Sequence, residues 1–249
     1  MVNMNNPDQK IIETTRENGV GIAHNLLTEE ELSLGREAFD QIYLDLDKGP
    51  GEPGTRDSIW GEALLKFTAL ERLFSHPYII SIISGILDES RPFLQKMKTN
   101  RYTPFHQGVG RHTDGKLGEL SPPFSMVSTQ VFLDNIEIDS GALIYVPKSH
   151  LLHYESVENP DHQPPTTEQI QEGHYVPAEL KAGSVLFRLP EVWHAVKPIH
   201  HLRRYVTGTY TSRDCVNASM TENVENVVQF RKQIPIATIP PNLRRFWQF

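Results

Sequence analysis

The chain has 249 residues, with 24 basic against 31 acidic side chains and a formal charge of -7. That balance repels a phosphate backbone and argues against nucleic acid as a partner, while the length is enough for one domain with a full hydrophobic core. A lone cysteine, Cys215, excludes an intramolecular disulfide and a cysteine-based zinc cluster, which predicts a reducing, cytoplasmic setting. The amino terminus carries no charged-then-apolar signal pattern, the mostly apolar stretch 78–87 is too short to cross a bilayer, and Trp247-Gln248-Phe249 is no peroxisomal address, so no membrane association is expected.

The first ninety or so residues read mainly as helix, with one short strand expected near residues 19–24. Thr28 followed by Glu31 has the form of a capping box, and Leu32, Leu34, Ala38, Phe39, Ile42 and Leu46 recur at roughly helical spacing behind it. A second helix is predicted over 61–75. A third begins at Pro77, a residue suited to a first helical turn, and runs through Ile80, Ile83 and Ile86.

From about Arg91 the texture changes to short apolar or alternating runs punctuated by Gly, Pro, Asn and Asp, the pattern of a β-rich jelly roll or barrel. Strands are predicted at 93–101, 126–133, 143–146, 184–189 and 205–212. The polar, proline-containing stretch 155–173 reads as a long loop over the barrel mouth, a place where function often resides.

Eleven histidines make a bare His-x-Asp pattern weak by itself, so its surroundings decide. His112-Thr-Asp114 follows the turn-rich segment Pro104-Phe-His-Gln-Gly-Val-Gly110, and in an extended strand residues i and i+2 face the same side. A third ligand has to come from a distant strand. His194 qualifies because it follows the 184–189 strand and the Pro190 turn, although His200 and His201 lie close by. Two imidazoles and one carboxylate occupy one face of an octahedral ion and leave open positions, an arrangement that suits Fe(II). Beyond His194, Arg204 opens a strand-like run where its planar guanidinium can grip the distal carboxylate of 2-oxoglutarate; its neighbour Arg203 competes for the same role.

The order of these pieces resembles the phytanoyl-CoA dioxygenase family. They are His112-Thr-Asp114, then Asp139-Ser-Gly-Ala-Leu-Ile-Tyr-Val-Pro-Lys-Ser-His150, then His194, then Arg203-Arg204-Tyr205. The central element departs from the family pattern, with Ser140 for the usual asparagine and Lys148 for the usual glycine. The resemblance covers roughly residues 96–212. It implies a mainly β fold, a double-stranded β-helix of the jelly-roll or cupin-like kind with flanking N-terminal helices. It also implies Fe(II) at His112, Asp114 and His194, 2-oxoglutarate paired to Arg204, and O2 as co-reactant. Halogenases in the wider group replace the carboxylate by a small residue; Asp114 is present here, which favours oxygenation.

A second cosubstrate contact is expected at Gln130, or at Thr129 if the strand register slips by one residue. His150 reads as a structural residue of its turn, and Phe187 and Trp193 as packing. His106 and Arg111 face either substrate or solvent. Two other readings share the ligand set, a metal-dependent hydrolase or isomerase that needs no 2-oxo acid, and a non-catalytic barrel that binds a small ligand. No Lys/Arg cluster stands near the motifs, so a free small-molecule substrate is favoured over a CoA thioester. Its identity is assigned to the loops 47–58 and 155–173.

Overall fold

The computed structural model describes residues 7–114, 122–159, 161–218 and 228–247. Helix α1 (Pro7–Asn18) leads into β1 (Val20–Ala23), the short strand expected there. Helix α2 (Glu29–Asp45) starts with the capping box read from the sequence: the Thr28 side chain accepts from the Glu31 amide at 3.2 Å, and the Thr28 amide donates back to Glu31 Oε2 at 2.9 Å. Its periodic face buries Leu32, Phe39, Ile42 and Tyr43.

The helix predicted over 61–75 is instead two pieces. A 3-10 turn (Gly61–Lys66) ends at Phe67, whose extended backbone (φ -108°, ψ 103°) interrupts it, and α3 (Thr68–Ser75) follows. Helix α4 (Pro77–Leu87) has proline in its first turn, as expected, and buries Ile79, Ile80, Ile82, Ile83 and Ile86.

Among the described residues ten strands form two sheets. The six-stranded sheet has the order β1, β8 (Val185–Arg188), β5 (Met126–Phe132), β10 (Arg203–Thr211), β3 (Phe93–Tyr102) and β2 (Arg56–Asp57). The four-stranded sheet has β4 (Val109–His112), β9 (His194–Val196), β6 (Leu143–Tyr145) and β7 (Val176–Ala178). Every named pairing is antiparallel, and the pair of facing sheets is the jelly roll the alternating runs predicted.

Strand alternation divides the large sheet into two functions. One face sends Val127, Val131, Val206 and Tyr210 into an apolar cluster shared with α2, α3 and α4. The other faces the small sheet. There Phe132, Leu143, Leu186, Ile199 and Tyr205 close one end of the space between the sheets, and an open cavity occupies the rest.

The stretch 155–173 is not a plain loop. Helix α5 (Ser149–Glu158) extends into it, and α6 (Thr167–Glu172) is started by a second capping box, Thr166 with Gln169. Composition was misleading there because α5 mixes apolar and polar side chains without a clear stripe, so no 3.6-residue period announces it. Cys215 is buried, and Phe187 and Trp193 are packed inside, as expected. His150 is likewise structural, its Nε2 facing the Arg16 carbonyl at 2.9 Å.

Candidate metal centre

His112 ends β4, and its cross-strand partner on β9 is His194. Direct partners in an antiparallel pair point to the same side, and the two imidazoles lie 4.2 Å apart between centroids. Gly108 makes this approach possible. It has φ +82°, and a Cβ there would sit 2.1 Å from the Val196 carbonyl oxygen of the partner strand.

Asp114 lies just past the strand, in a bend rather than in the ladder. Its amide donates to the Pro190 carbonyl at 2.9 Å, which ties it to the turn preceding His194. The ligand atoms of His112, Asp114 and His194 all fall within 4.8 Å of one another.

The orientation of each ring is fixed from behind. His112 Nδ1 faces the Gly110 carbonyl at 2.7 Å, and His194 Nδ1 faces the Val192 carbonyl at 3.0 Å. Carbonyls only accept, so His112 carries its proton on Nδ1; at His194 the shorter Val192 contact calls for the same tautomer against a longer one, 3.3 Å, from the Arg188 guanidinium, and each ring then turns its Nε2 lone pair to the centre. The two Nε2 atoms are 3.5 and 3.9 Å from Asp114 Oδ1. Two neutral nitrogen donors and one carboxylate oxygen, converging on one point beside an open cavity, fit a divalent iron ion.

Electrostatics favour an ionised Asp114 and a neutral His194, while the Asp114 carboxylate raises His112 above its ordinary value. Burial works to raise the Asp114 carboxyl, but the Arg188 guanidinium and the two histidines outweigh it and hold the group well below the usual carboxylate range. Arg188 donates to Asp114 Oδ2, leaving Oδ1 toward the imidazoles. Burial, then Arg188, depresses His194 well below its ordinary value, so it stays a neutral donor. Sequence reading passed over Arg188 although its signal was present, a charged residue inside the otherwise apolar strand Val185-Leu-Phe-Arg188.

The cavity next to these ligands has a volume of about 390 Å³. Gln130 lines it, with a buried Oε1 that has no hydrogen-bond partner among the described residues. Thr129 faces the opposite side and exchanges hydrogen bonds with Gly208, which sets the register in which Gln130 looks inward.

The arginine expectation needs correction. Arg204 points out of the cavity, its Nε and Nη2 donating to Asp134 at 3.1 and 2.8 Å and its Nη1 to Asp40 at 2.7 Å. Arg203 is the one that lines the cavity. It is 2% exposed, and none of its three guanidinium nitrogens has a hydrogen-bond partner among the described residues. Three ring faces lie around it, Tyr205 at 4.5 Å, Tyr102 at 5.3 Å and Phe132 at 5.5 Å.

The reason is strand phase. β10 begins at Arg203, so Arg203, Tyr205, Thr207 and Thr209 look into the cavity while Val206 and Tyr210 look into the helical core. Gly141, inside the central sequence element, makes room for the inward arginine: its φ is +73°, and a Cβ would come 3.0 Å from Arg203 Cδ.

Of the other residues singled out, His200 and His201 are exposed. Arg111 turns to α6, where it donates to the Gln171 carbonyl and stacks over Tyr175 at 4.7 Å. His106 packs edge-on against Tyr102.

A family model described as phytanoyl-CoA dioxygenase matches residues 15–201. No curated protein is detectably similar in sequence. Among solved structures, the non-haem α-ketoglutarate-dependent carbocyclase SnoK from nogalamycin biosynthesis superposes with a TM-score of 0.67 at 19% identity, covering 82% of this chain and 83% of that one. AviO1 from Streptomyces viridochromogenes Tue57 gives 0.65 at 17%, covering 84% and 96%. EctD from S. alaskensis, solved with 2-oxoglutarate and 5-hydroxyectoine, gives 0.66 at 14%, covering 83% and 76%. At such identities the likeness speaks for the fold.

Proposed function

Because the chain belongs to the phytanoyl-CoA dioxygenase family and is an Fe(II)- and 2-oxoglutarate-dependent dioxygenase, we propose that His112, Asp114 and His194 hold its iron, Arg203 and Gln130 hold its cosubstrate, and a small organic molecule is hydroxylated beside them. Iron and 2-oxoglutarate, when bound, would activate O2 as the oxidant, with the cosubstrate oxidatively decarboxylated to succinate and CO2. The chain's contribution is to bind, aim and shield.

The observation that carries the assignment is the Arg203 guanidinium, buried on the cavity wall and unpaired among the described residues. A buried cation without a partner costs stability unless an anion completes it. A planar guanidinium fork matches a carboxylate in two parallel hydrogen bonds, which suits the distal end of 2-oxoglutarate.

Gln130, on the neighbouring strand of the same sheet, offers an amide to the same ligand. The Nδ1 bonds of His112 and His194 keep the donor atoms aimed at one point. Arg188 keeps Asp114 ionised and singly committed. Leu143, Pro190 and Val196 give the cavity apolar wall that limits water around the reacting C–H bond.

Asp114→Ala tests the assignment of the metal ligand. Substrate-dependent succinate formation, followed by mass spectrometry, should fall by roughly a hundredfold or more, since removing a direct ligand exceeds the tenfold to hundredfold effect of removing a group that merely supports one. Unchanged succinate formation would remove Asp114 from the metal site.

A further inference from the structure

The sequence shows no cluster of basic residues near its motifs, but folding makes one. The cavity wall carries Arg56, Lys96, Lys98, Arg188 and Arg203 against Asp114 as its one acid among the described lining residues. In a protein of net charge -7 this is a local reversal of sign.

Two of those cations are already accounted for. Arg188 is paired with Asp114, and Arg203 is assigned above to the distal carboxylate of 2-oxoglutarate. The proximal carboxylate of that cosubstrate belongs at the metal, so its two negative charges leave the remaining cations without a counterpart.

Those cations are placed by strand geometry. Lys96 and Lys98 are two residues apart on β3, opposite Thr209 and Thr207 of β10, and therefore on the inward face. β2 pairs with the end of β3, and Trp60 bridges to Lys98, which brings the 56–60 segment over the cavity rim. Arg56 is held there, donating to Asn100 Oδ1 at 3.1 Å and stacking on Tyr102 at 5.2 Å.

Lys98 differs from its neighbours. It is half-buried, and among the described residues no carboxylate lies within ion-pair distance of its ammonium. What it touches is the face of Trp60, 4.8 Å from the ring centroid. Trp60 itself is 56% exposed, a large aromatic surface standing at the edge of the cavity. Burial pulls the Lys98 pKa down, with Arg56 and Arg188 adding to it and Tyr205 and Asp114 opposing it.

We propose that the substrate is a small organic anion whose carboxylate or phosphate is bound by Lys98 and whose apolar body lies against Trp60, with the carbon to be oxidised turned toward the metal ligands. Lys98 is then a specificity residue rather than part of the oxidising machinery. The cavity volume, near the low end of the roughly 300–1,000 Å³ usual for small-molecule sites, holds a compact acid and leaves a bulky carrier group outside. The inference rests on the assignment of Arg203 to the cosubstrate, and its test separates the two.

Trp60 supplies the readout. Trp193 and Trp247 are buried, so a binding-induced change in tryptophan emission that Trp60→Phe abolishes reports the rim. Anaerobic protein loaded with Fe(II) and 2-oxoglutarate is titrated with phenylacetate, phenyl phosphate and the neutral phenylacetamide. At least one anion should act at a concentration roughly tenfold or more below phenylacetamide, and which one is tighter identifies the head group. Lys98→Met should erase the preference, Lys98→Arg should keep it, and neither should shift the 2-oxoglutarate titration. Equal response to phenylacetamide, or no response to either anion at millimolar concentration, overturns the proposal. So does a loss of 2-oxoglutarate affinity in Lys98→Met equal to that in Arg203→Met, which would move Lys98 into the cosubstrate site. If wild-type protein fails to take up 2-oxoglutarate at all, it is the Arg203 assignment that falls.

Discussion

Arg203 and Arg204 are consecutive on one strand and live in opposite worlds. The outward Arg204 is closed off by Asp134 and Asp40, and a guanidinium so paired titrates even higher than usual. The inward Arg203 is more deeply buried and has no acid paired to it among the described residues. The same contrast runs through the large sheet. Polar groups buried away from the cavity find partners on folding, as with Tyr210 on the helical face, whose hydroxyl donates to the Phe74 carbonyl at 2.6 Å, and, outside that sheet, His153 of α5, which accepts the indole N–H of Trp193 at 2.9 Å. Where they face the cavity, Arg203, Lys98 and Gln130 are left incomplete. One side of the sheet is finished by folding, the other by ligands.

If that division holds, damage to the helical side should change stability without changing binding. Ile83→Ala deletes a side chain with no exposure between α4 and the sheet and should cost about 2–5 kcal/mol. Urea unfolding measures the loss, and 2-oxoglutarate affinity of the folded remainder should be unaltered. A proportionate fall in that affinity would break the comparison, because the two faces would then not be independent.

A smaller effect sharpens it through pH. Burial, and secondarily His150, depresses the His153 pKa to about 4, against about 6.5 in the unfolded chain. The unfolded state therefore binds more protons between those values, and stability contributed by neutral His153 is full above about pH 6.5 and lost as pH falls toward 4. The integrated loss is at most about 3 kcal/mol. Glu191, raised to about 7 by burial, tilts the wild-type curve the other way over part of that range. The difference between wild type and His153→Gln isolates the histidine: the variant should lose less stability between pH 7 and pH 4.5, and parallel curves would show that His153 titrates normally in the folded protein.

Much of this was legible in the sequence because it depends on local pattern. Alternation located β3, β5 and β10 to within a residue or two, Thr28 and Glu31 located the start of α2, and the ordered His112, Asp114 and His194 located the centre. Gln130 looks inward as its strand register implied. What escaped were features set by phase or by distance. β4 and β9 are too short for a period to show, and Asp114 is positioned by the Pro190 carbonyl rather than by alternation beyond His112. Arg204 was preferred to Arg203 on the family pattern and as the opening of its strand, whereas neighbours on a strand point to opposite faces and only the pairing of β10 within the sheet decides which of the two looks inward. Reading Val206 and Tyr210 as the core face would have turned Arg203 inward. The basic cavity was invisible because Arg56, Lys98 and Arg188 meet only when β2, β3 and β8 assemble around the same space.

The central claim, that the inward arginine holds the cosubstrate, is tested by anaerobic titration of Fe(II)-loaded protein with 2-oxoglutarate, following the weak visible charge-transfer band that chelation produces. Wild type and Arg204→Met should develop the band at similar concentrations, whereas Arg203→Met should require roughly thirtyfold more or never reach it, the cost of losing one partner of a buried charge pair. A band that survives Arg203→Met and disappears in Arg204→Met would contradict the account.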